Sequence, residues 1–251
     1  MARIYRQPEL ERRLQERIWV RIAKAHQFRI RRELAKQYND AADAVSKGRV
    51  PYIKTEGLAT SMTYLMRDGY QQIGQRAAYA IQDAHGRGQK RAIPMEASFE
   101  RGLNSYIRAH AGRKVKEVTD TTKARIAKLT QSGIDQGLTL PEVAASIRQA
   151  GLIESAFRAE VIARTESHSA ANAGSLESAR ASEVVQEKEW IFTEDERTRN
   201  GENSEFDHTH VDNVGIDEPF MVSGEELMFP GDPNGSAGNV IQCRCCLGYV
   251  V

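Results

Sequence analysis

Apolar residues recur at intervals of three and four along most of the first 150 residues. In the stretch from Pro8 to Lys47 this spacing places the apolar side chains on one face of a long amphipathic helix. Gly48 and Pro51 follow, and both are typical of a helix end. The same spacing predicts a second helix from Leu58 to Ala84, followed by a glycine-containing break at Gly86–Gly88.

A third helical pattern follows the second, is loosened at Gly112, and is expected to end at Gly133. The next turn contains Thr139, whose side chain is expected to cap a short helix from Pro141 to Ala150. Glu142 lies at the position of the returning acid in a capping box. The pattern therefore predicts a chain of successive helices joined by short turns.

The pattern changes after a further helix predicted from Glu154 to about Ser182. Alternating and β-branched residues there favour a few short strands. The predicted strands are 190–193, 221–222 and 240–242. We expect an α+β protein whose residues 1–150 form a long-helix-rich part and whose residues 151–251 form a small α+β module that zinc could stabilise.

The net charge of +1 hides a strong polarity along the chain. Residues 1–50 carry 13 basic and 6 acidic side chains, whereas residues 183–251 carry 4 basic and 15 acidic ones. A basic N-terminal helix suits DNA phosphates or an acidic protein surface. The alternative is a solvated helix face, because glutamates are interleaved with the basic residues.

The sequence lacks an apolar run of about 18 residues, which argues against a membrane span. Its arginine-rich start also lacks the apolar region of a signal peptide, so we expect a cytoplasmic protein. The three cysteines, Cys243, Cys245 and Cys246, lie within four residues of each other. In a cytoplasmic chain they argue against a disulfide framework.

The cysteines and a histidine form a candidate metal site. Cys243, Cys245 and His208 supply the thiolate and imidazole ligands that tetrahedral Zn²⁺ prefers. Alternate residues of an extended chain point the same way, so both sulfurs can reach one ion. The fourth ligand is open among His210, Cys246 and Asp195. Such a zinc ion would be structural; the alternative is that the cysteines are small buried apolar residues closing the last strand.

Two carboxylates precede the histidines and allow an enzymatic hypothesis. Asp195 and Glu196, together with His208 and His210, could bind a divalent metal and activate water, as in nucleases. The alternative is a corner in which Asp195 caps the following turn and Arg197 pairs with a nearby acid. The sequence contains no glycine-rich phosphate loop, nucleophile elbow or HExxH motif.

An ordered series of motifs in the last 100 residues resembles a known family. The series comprises Arg164-Thr165-Glu166 with Asn172, the run Asp195–Arg199, the Phe229–Pro233 turn, and Asn239 followed by Cys243-Arg244-Cys245. This order is similar to the minor head, or head morphogenesis, proteins of tailed phages, of the phage Mu protein F type. The resemblance covers roughly residues 155–246.

The resemblance implies a non-enzymatic structural protein of the virion, at the head interior or portal vertex, made in the host cytoplasm. It implies binding to the portal protein during procapsid assembly, contacts with major capsid or scaffolding protein or packaged DNA, and no membrane in the assembled head. The expected roles are head morphogenesis and DNA packaging and ejection. A metal-dependent nuclease or toxin-type effector carried in the head is the alternative, and a DNA-binding module is the third hypothesis.

Three groups of site residues follow from the motifs and this resemblance. The expected metal ligands are His208, His210, Cys243 and Cys245. The family-motif residues are Arg164, Thr165, Glu166, Asp195, Arg197, Thr198 and Asp232. The candidate contacts with DNA or portal are Arg12, Arg13, Arg17, Arg21, Arg31 and Arg32.

Overall fold

The structure is a computed structural model that describes residues 3–5, 7–86 and 96–250. The helices are α1 (Pro8–Ser46), α2 (Glu56–Gly86), α3 (Glu96–Asp135), α4 (Leu140–Ala181) and the short α5 (Ala237–Val240). The strands are β1 (Glu187–Ile191), β2 (Val214–Gly215), β3 (Phe220–Val222), β4 (Glu225–Leu227) and β5 (Cys246–Val250). The predicted α+β class, with long helices before a small strand-containing module, is confirmed.

The first two predicted helices match α1 and α2 to within two residues at each end. Residues 87 and 88 of the predicted glycine break lie outside the described residues. The predicted role of Glu142 as the returning acid at the start of α4 is also confirmed, because its carboxylate accepts hydrogen bonds from the backbone N–H and the hydroxyl of Thr139 at 2.8 and 2.7 Å.

The third predicted helix is α3, which runs through Gly112 without a break and ends at Asp135, two residues after the expected stop at Gly133. The prediction of two separate helices, 141–150 and 154–182, is wrong, because a single helix, α4, spans both and contains Gly151. A Cβ on Gly133 would lie 2.5 Å from Val143 Cγ2, and one on Gly151 would lie 2.5 Å from Tyr38 Cβ. These glycines therefore allow close packing of neighbouring helices, and the long helices absorb their low helix propensity of about 1 kcal/mol each.

The chain divides into two compact units. The first comprises Met1–Ala23, Leu65–Ile107 and Arg164–Val251, and the second comprises Lys24–Tyr64 and Arg108–Ala163. The second unit is entirely helical apart from its turns, and its core packs small and branched residues around Tyr38, Ile126 and Ile147. The predicted functional boundary at residue 150 stays a prediction, because this division describes contacts only.

All the strands in the described residues lie in the first unit. Strand β1 lies at the centre of an antiparallel sheet of order β2-β1-β5, and β3 pairs with β4 in a separate antiparallel hairpin. The core of this unit includes Trp19, Tyr70 and Phe220, each 2% exposed or less. Burial alternates along β1, with Lys188 and Trp190 buried and Glu187 and Glu189 half-buried.

The predicted strand at 240–242 is wrong. Val240 ends α5, and the chain turns at Gln242, whose φ of 57° lies in the left-handed region. Strand β5 begins only at Cys246. Cys243 and Cys245 therefore lie in the link between α5 and β5.

The predicted strand at 221–222 falls within β3, and the one at 190–193 overlaps the end of β1. None of the helices in the described ranges carries an 18-residue stretch apolar enough to cross a membrane.

Candidate metal centre

His208, Cys243 and Cys245 converge in the interior of the first unit. His208 Nδ1 lies 3.7 Å from Cys243 Sγ and 3.6 Å from Cys245 Sγ. All three ligand atoms lie within 4.8 Å of one another, and each residue is at most 3% exposed. Residues separated by more than 30 positions are thus brought to one point, as the sequence predicted for these three.

The spacing of these atoms fits a tetrahedral zinc ion. With Zn–S bonds of about 2.3 Å and Zn–N bonds of about 2.0 Å, tetrahedral angles place nitrogen and sulfur ligands about 3.5 Å apart. The two N···S distances of 3.7 and 3.6 Å are close to this value. One imidazole and two thiols are also the donor types that zinc selects over magnesium or calcium. The three side chains therefore fit a zinc ion in chemistry and in spacing.

The two thiols differ in acidity. Burial opposes the Cys243 thiolate, but the polar side chains of Cys245 and His208 beside it outweigh burial and hold the pKa of Cys243 well below its usual value. Burial and the neighbouring Cys243 raise the pKa of Cys245 well above its usual value. Because both sulfurs must be thiolates to ligate zinc, Cys245 would release its proton when the metal binds.

The three candidates for the fourth ligand lie outside this group. The His210 side chain is 87% exposed, and its Nδ1 pairs with Asp207 Oδ2 at 3.0 Å. Cys246 is buried on β5. Asp195 is held by two guanidinium groups. The structure thus brings together three of the four predicted metal ligands and leaves His210 at the surface.

Asp195 organises the corner that follows β1. Its carboxylate accepts hydrogen bonds from the backbone N–H of Arg197 at 3.0 Å and from Arg244 Nη2 at 2.7 Å. The Arg244 guanidinium, with help from Arg197, holds the pKa of Asp195 well below its usual range. Thr198 donates its backbone N–H to Asp195 O and its hydroxyl to Thr193 O. The prediction that Asp195 caps this turn is therefore confirmed.

Arg244 ties the cysteine segment to α1. Its Nε lies 3.1 Å from Glu16 Oε1, and Glu16 also pairs with Arg12 at 2.9 Å and Arg164 at 3.4 Å. The Arg244 side chain, only 10% exposed, therefore bridges Glu16 and Asp195 while its two neighbours in sequence face His208. This network orients the Cys-Arg-Cys segment from the side opposite the sulfurs.

Arg12 is buried, contrary to the prediction that it lies on a contact surface. We expected it to contact DNA or portal, but its side chain is 3% exposed and pairs with Glu9 and Glu16. It also donates a long hydrogen bond of 3.5 Å to Arg244 O. Arg12 therefore belongs to the interior of the first unit. The remaining candidate contacts on α1 are exposed: Arg13, Arg17, Arg21, Arg31 and Arg32.

The Arg164-Thr165-Glu166 run lies where α4 meets this segment. Thr165 Oγ1 accepts a hydrogen bond of 3.2 Å from the backbone N–H of Gln242, the residue with positive φ just before Cys243. Thr165 and Glu166 are buried, and Arg164 pairs with Glu16. Thr165 therefore makes a buried polar contact between α4 and the segment that carries the cysteines.

One turn further along α4, His168 and Asn172 bind the backbone of two other motifs. His168 Nε2 lies 2.7 Å from Cys245 O. Asn172 donates to Pro230 O at 3.0 Å and accepts from Leu247 N–H at 3.3 Å. His168, which is fully buried, therefore has a structural role. Asn172 lay in the family series, but no sequence signal showed that it bridges the turn and β5.

The Phe229–Pro233 turn is closed by Asp232, which is 2% exposed. Its carboxylate accepts hydrogen bonds from Met228 N–H and Asn234 N–H, each at 2.9 Å. Gly231 has a φ of 80°, and a Cβ there would lie 2.6 Å from His168 Nδ1. Only glycine therefore allows the turn to approach α4 this closely.

Lys188 supports the same turn from the sheet. It is fully buried on β1, donates to Met228 O at 2.8 Å, and lies 4.8 Å from the centre of the Phe220 ring. Burial lowers the pKa of Lys188 from 10.5 to about 8. A lysine in this position was not predicted, because a charged residue in a strand usually faces solvent.

The pKa of Lys188 predicts a pH-dependent stability. Between pH 8 and 10.5 the unfolded chain binds more protons at this lysine than the folded chain does. The free energy of unfolding of the wild type relative to Lys188→Met should therefore rise across this window, by up to about 3 kcal/mol. Urea unfolding at several pH values measures the difference. The same comparison with the exposed Lys36→Met should show no such rise, and a flat difference for Lys188→Met would contradict the assignment.

With this geometry established, comparison with known proteins identifies the segment that carries it. Residues 124–248 match the model of the family described as "Phage Mu protein F like protein". Through these residues the chain belongs to the phage Mu protein F-like family. The resemblance drawn from the ordered motifs is thus confirmed.

The F-like segment contains every family-motif residue discussed above and the whole candidate metal centre. Membership of this family indicates a phage head protein that belongs to the virion. Among curated proteins, the uncharacterized protein YqbB of Bacillus subtilis (strain 168) is 25% identical over 163 residues, which are 63% of this chain and 52% of YqbB. The chain spans about half the length of that relative. No solved structure matches the chain.

Proposed function

We propose that this protein is a minor head component of a tailed phage or prophage that binds the portal protein during procapsid assembly. In this role it assists head morphogenesis and the packaging and ejection of DNA. The observation that carries the proposal is the F-like match over residues 124–248. Its motif residues all lie in the first unit. Their side chains contact other parts of that unit, as expected of residues with a structural role.

The contacts of the motif residues favour a structural role. Asp195 is paired with Arg244, Thr165 holds the turn before Cys243, and Asp232 closes its own turn. A carboxylate that activates water must be available to a metal or to substrate, whereas Asp195 is committed to guanidinium groups. The motif residues thus stabilise the shape of the module, which then serves as an assembly surface.

We propose that zinc at His208, Cys243 and Cys245 has a structural role. The metal would join the loop that carries His208 to the segment between α5 and β5. A module with short strands has little regular structure to hold such segments, and zinc binding contributes directly to folding free energy in such cases. When bound, the ion cross-links these two segments and does not take part in catalysis.

The exposed arginines of α1 are the proposed docking surface. Arg13, Arg17 and Arg21 recur every four residues and so lie along one face of the helix in the first unit. Their charges suit the portal or packaged DNA. The surface of the C-terminal module is predominantly acidic: its exposed acidic residues include Glu183, Glu194, Glu196, Glu202, Glu205, Asp212, Asp217, Glu218 and Glu226. The acidic module is therefore a poor site for DNA.

Charge reversal tests this docking surface. The triple variant Arg13→Glu, Arg17→Glu and Arg21→Glu should weaken binding to purified portal protein at least about tenfold, because three cationic contacts become repulsive. The comparison variant reverses three exposed arginines elsewhere in the chain, Arg67, Arg101 and Arg108. It should bind like the wild type.

A parallel titration with duplex DNA separates the two proposed partners. If DNA is the partner, wild-type affinity falls steeply with salt, and the triple variant reduces that slope by about three. Equal portal and DNA binding by the wild type and the triple variant would remove the α1 surface from the proposal.

The nuclease alternative requires Asp195, Glu196, His208 and His210 to act together. Within the part of the chain that the structure describes, the metal group contains only His208 from this set. We expect no cleavage of plasmid DNA by the purified protein with magnesium, manganese or zinc. Metal-dependent cleavage that is lost in His208→Ala would instead favour the enzyme.

A further inference from the structure

Asn239 contacts His208 on the side of the ring opposite the two sulfurs. It lies in α5, is fully buried, and its Oδ1 is 3.0 Å from His208 Nε2. His208 Nδ1 faces the sulfurs of Cys243 and Cys245. The two ring nitrogens of His208 thus have different partners, and the protonation of one decides what the other can do.

The orientation of the Asn239 amide follows from its remaining partners. Asn239 Nδ2 donates to Val222 O at 3.4 Å, and the Asn239 side chain also donates to the Glu225 carboxylate. A backbone carbonyl and a carboxylate can only accept hydrogen bonds. The amide nitrogen must therefore face these two groups. With the opposite orientation, Oδ1 would face two acceptors in a buried site and neither hydrogen bond would form.

Glu225 is itself held in place. Its Oε2 accepts a hydrogen bond of 2.8 Å from the backbone N–H of Ser236, the residue that precedes α5. The carboxylate therefore lies at the start of α5, where it can receive the Asn239 amide. This contact links the β3–β4 hairpin to α5, so the amide orientation is determined by two separate segments of the module.

The amide orientation determines the tautomer of His208. Since Oδ1 faces Nε2 and can only accept, Nε2 carries the proton and donates it. Nδ1 then has a free lone pair, and this lone pair faces both sulfurs. The Trp190 ring packs edge-on against His208, with ring centres 5.5 Å apart and planes at 83°, which restricts rotation of the imidazole.

We propose that Asn239, oriented by Val222 and Glu225, is the positioning residue that makes His208 a metal ligand through Nδ1. The inference rests on the proposed metal binding and deepens it, because it assigns a role to the asparagine that precedes the Cys-Arg-Cys motif. Partners of this kind on a ligating histidine fix the tautomer and ring orientation, and their loss typically reduces metal affinity about 10- to 100-fold.

The most direct test uses the wild-type protein. Its histidines are isotope-labelled, the site is loaded with NMR-active cadmium as a zinc substitute, and coupling between the metal and the ring nitrogens of His208 is measured. The expected coupling is to Nδ1, with the Nε2 proton retained and slow to exchange. Coupling to Nε2 would overturn the inference, even though the metal site would stand.

Variants provide an independent test. Asn239→Leu should lower zinc affinity about 10- to 100-fold in a competition with a chromophoric chelator. Glu225→Gln, which weakens the constraint on the amide without emptying the site, should lower it by a smaller factor. Asn213→Leu, at an exposed asparagine of the same module, is the control and should bind zinc like the wild type.

The outcomes separate this inference from the metal proposal. If the wild type binds no zinc or cadmium, the metal proposal fails and the inference fails with it. If the wild type binds zinc and both Asn239→Leu and Glu225→Gln bind it equally well, only the positioning role fails. If Asn239→Leu does not fold, Glu225→Gln and the wild-type coupling still decide the question.

Discussion

The double variant Cys243→Ser with Cys245→Ser is expected to bind no zinc and to lose the cooperative unfolding transition of the first unit. Serine hydroxyls are poor zinc ligands, so removal of both thiolates leaves only His208 of the group. Structural zinc contributes about 10–16 kcal/mol of apparent binding free energy in small zinc domains. Even a fraction of that exceeds the effect of an ordinary substitution, which is about 1 kcal/mol.

Two measurements check this prediction. Metal content by mass spectrometry should fall from about one zinc per wild-type chain to none. Tryptophan fluorescence during urea unfolding reports on the first unit, because Trp19 and Trp190 both lie in it. We expect the free energy of unfolding to fall by at least about 4 kcal/mol, or the unit to be unfolded without urea.

Cys246→Ser is the matched control. Cys246 is buried and lies next to the same motif, but it is outside the metal group. This variant should lose some packing in β5 and keep its zinc. An unchanged unfolding transition in the double variant, together with no metal in the wild type, would show that the cysteines are ordinary buried residues.

Gly231→Ala should destabilise the protein by about 3 kcal/mol or more. Alanine at the positive φ of Gly231 costs about 1–2 kcal/mol. In addition, its Cβ would lie 2.6 Å from His168 Nδ1 and 3.5 Å from Ser169 Cα. The turn would have to move away from α4, which also weakens the hydrogen bond between Asn172 and Pro230.

Gly224→Ala separates the two effects. Gly224 has a φ of 81°, almost equal to that of Gly231, but a Cβ there would meet no atom within 4 Å. This variant should therefore lose only the conformational part, about 1–2 kcal/mol. Urea unfolding of both variants measures the difference. Equal destabilisation would mean that the close approach to His168 does not limit the residue at position 231.

The long helices could be predicted from the sequence because their apolar spacing is a local property. The division of α4 into two helices was an error. Gly151 packs against Tyr38, and nothing near Gly151 in the sequence indicates this distant partner. The strand expected at 240–242 failed for a similar reason: Thr165 on α4 holds the turn at Gln242.

The candidate metal centre could be predicted in part. His208, Cys243 and Cys245 were found because few residue types ligate zinc. His210 was a reasonable fourth ligand by alternation, but its loop places it beside Asp207 at the surface. Asn239 lay in the family series, but its contact with His208 was not predicted, because a buried amide has no local signature and its partners are distant in sequence.

Arg12 shows the limit of charge pattern. Five arginines chosen with it on α1 are exposed, but Arg12 shares a helix face with Glu9 and Glu16 and pairs with both. Arg244, which is 228 residues away in sequence, bonds to the same Glu16 carboxylate, so Arg12 is part of a buried network. No count of local charges could have predicted this.

The measurement that tests the central claim most directly is quantitative mass spectrometry of purified procapsids and mature particles of the phage or prophage that encodes this chain. The proposal predicts that the chain is present in procapsids at a low and reproducible ratio to portal protein. Its absence from both procapsids and mature particles would contradict a role as a head component and would return attention to the enzymatic alternative.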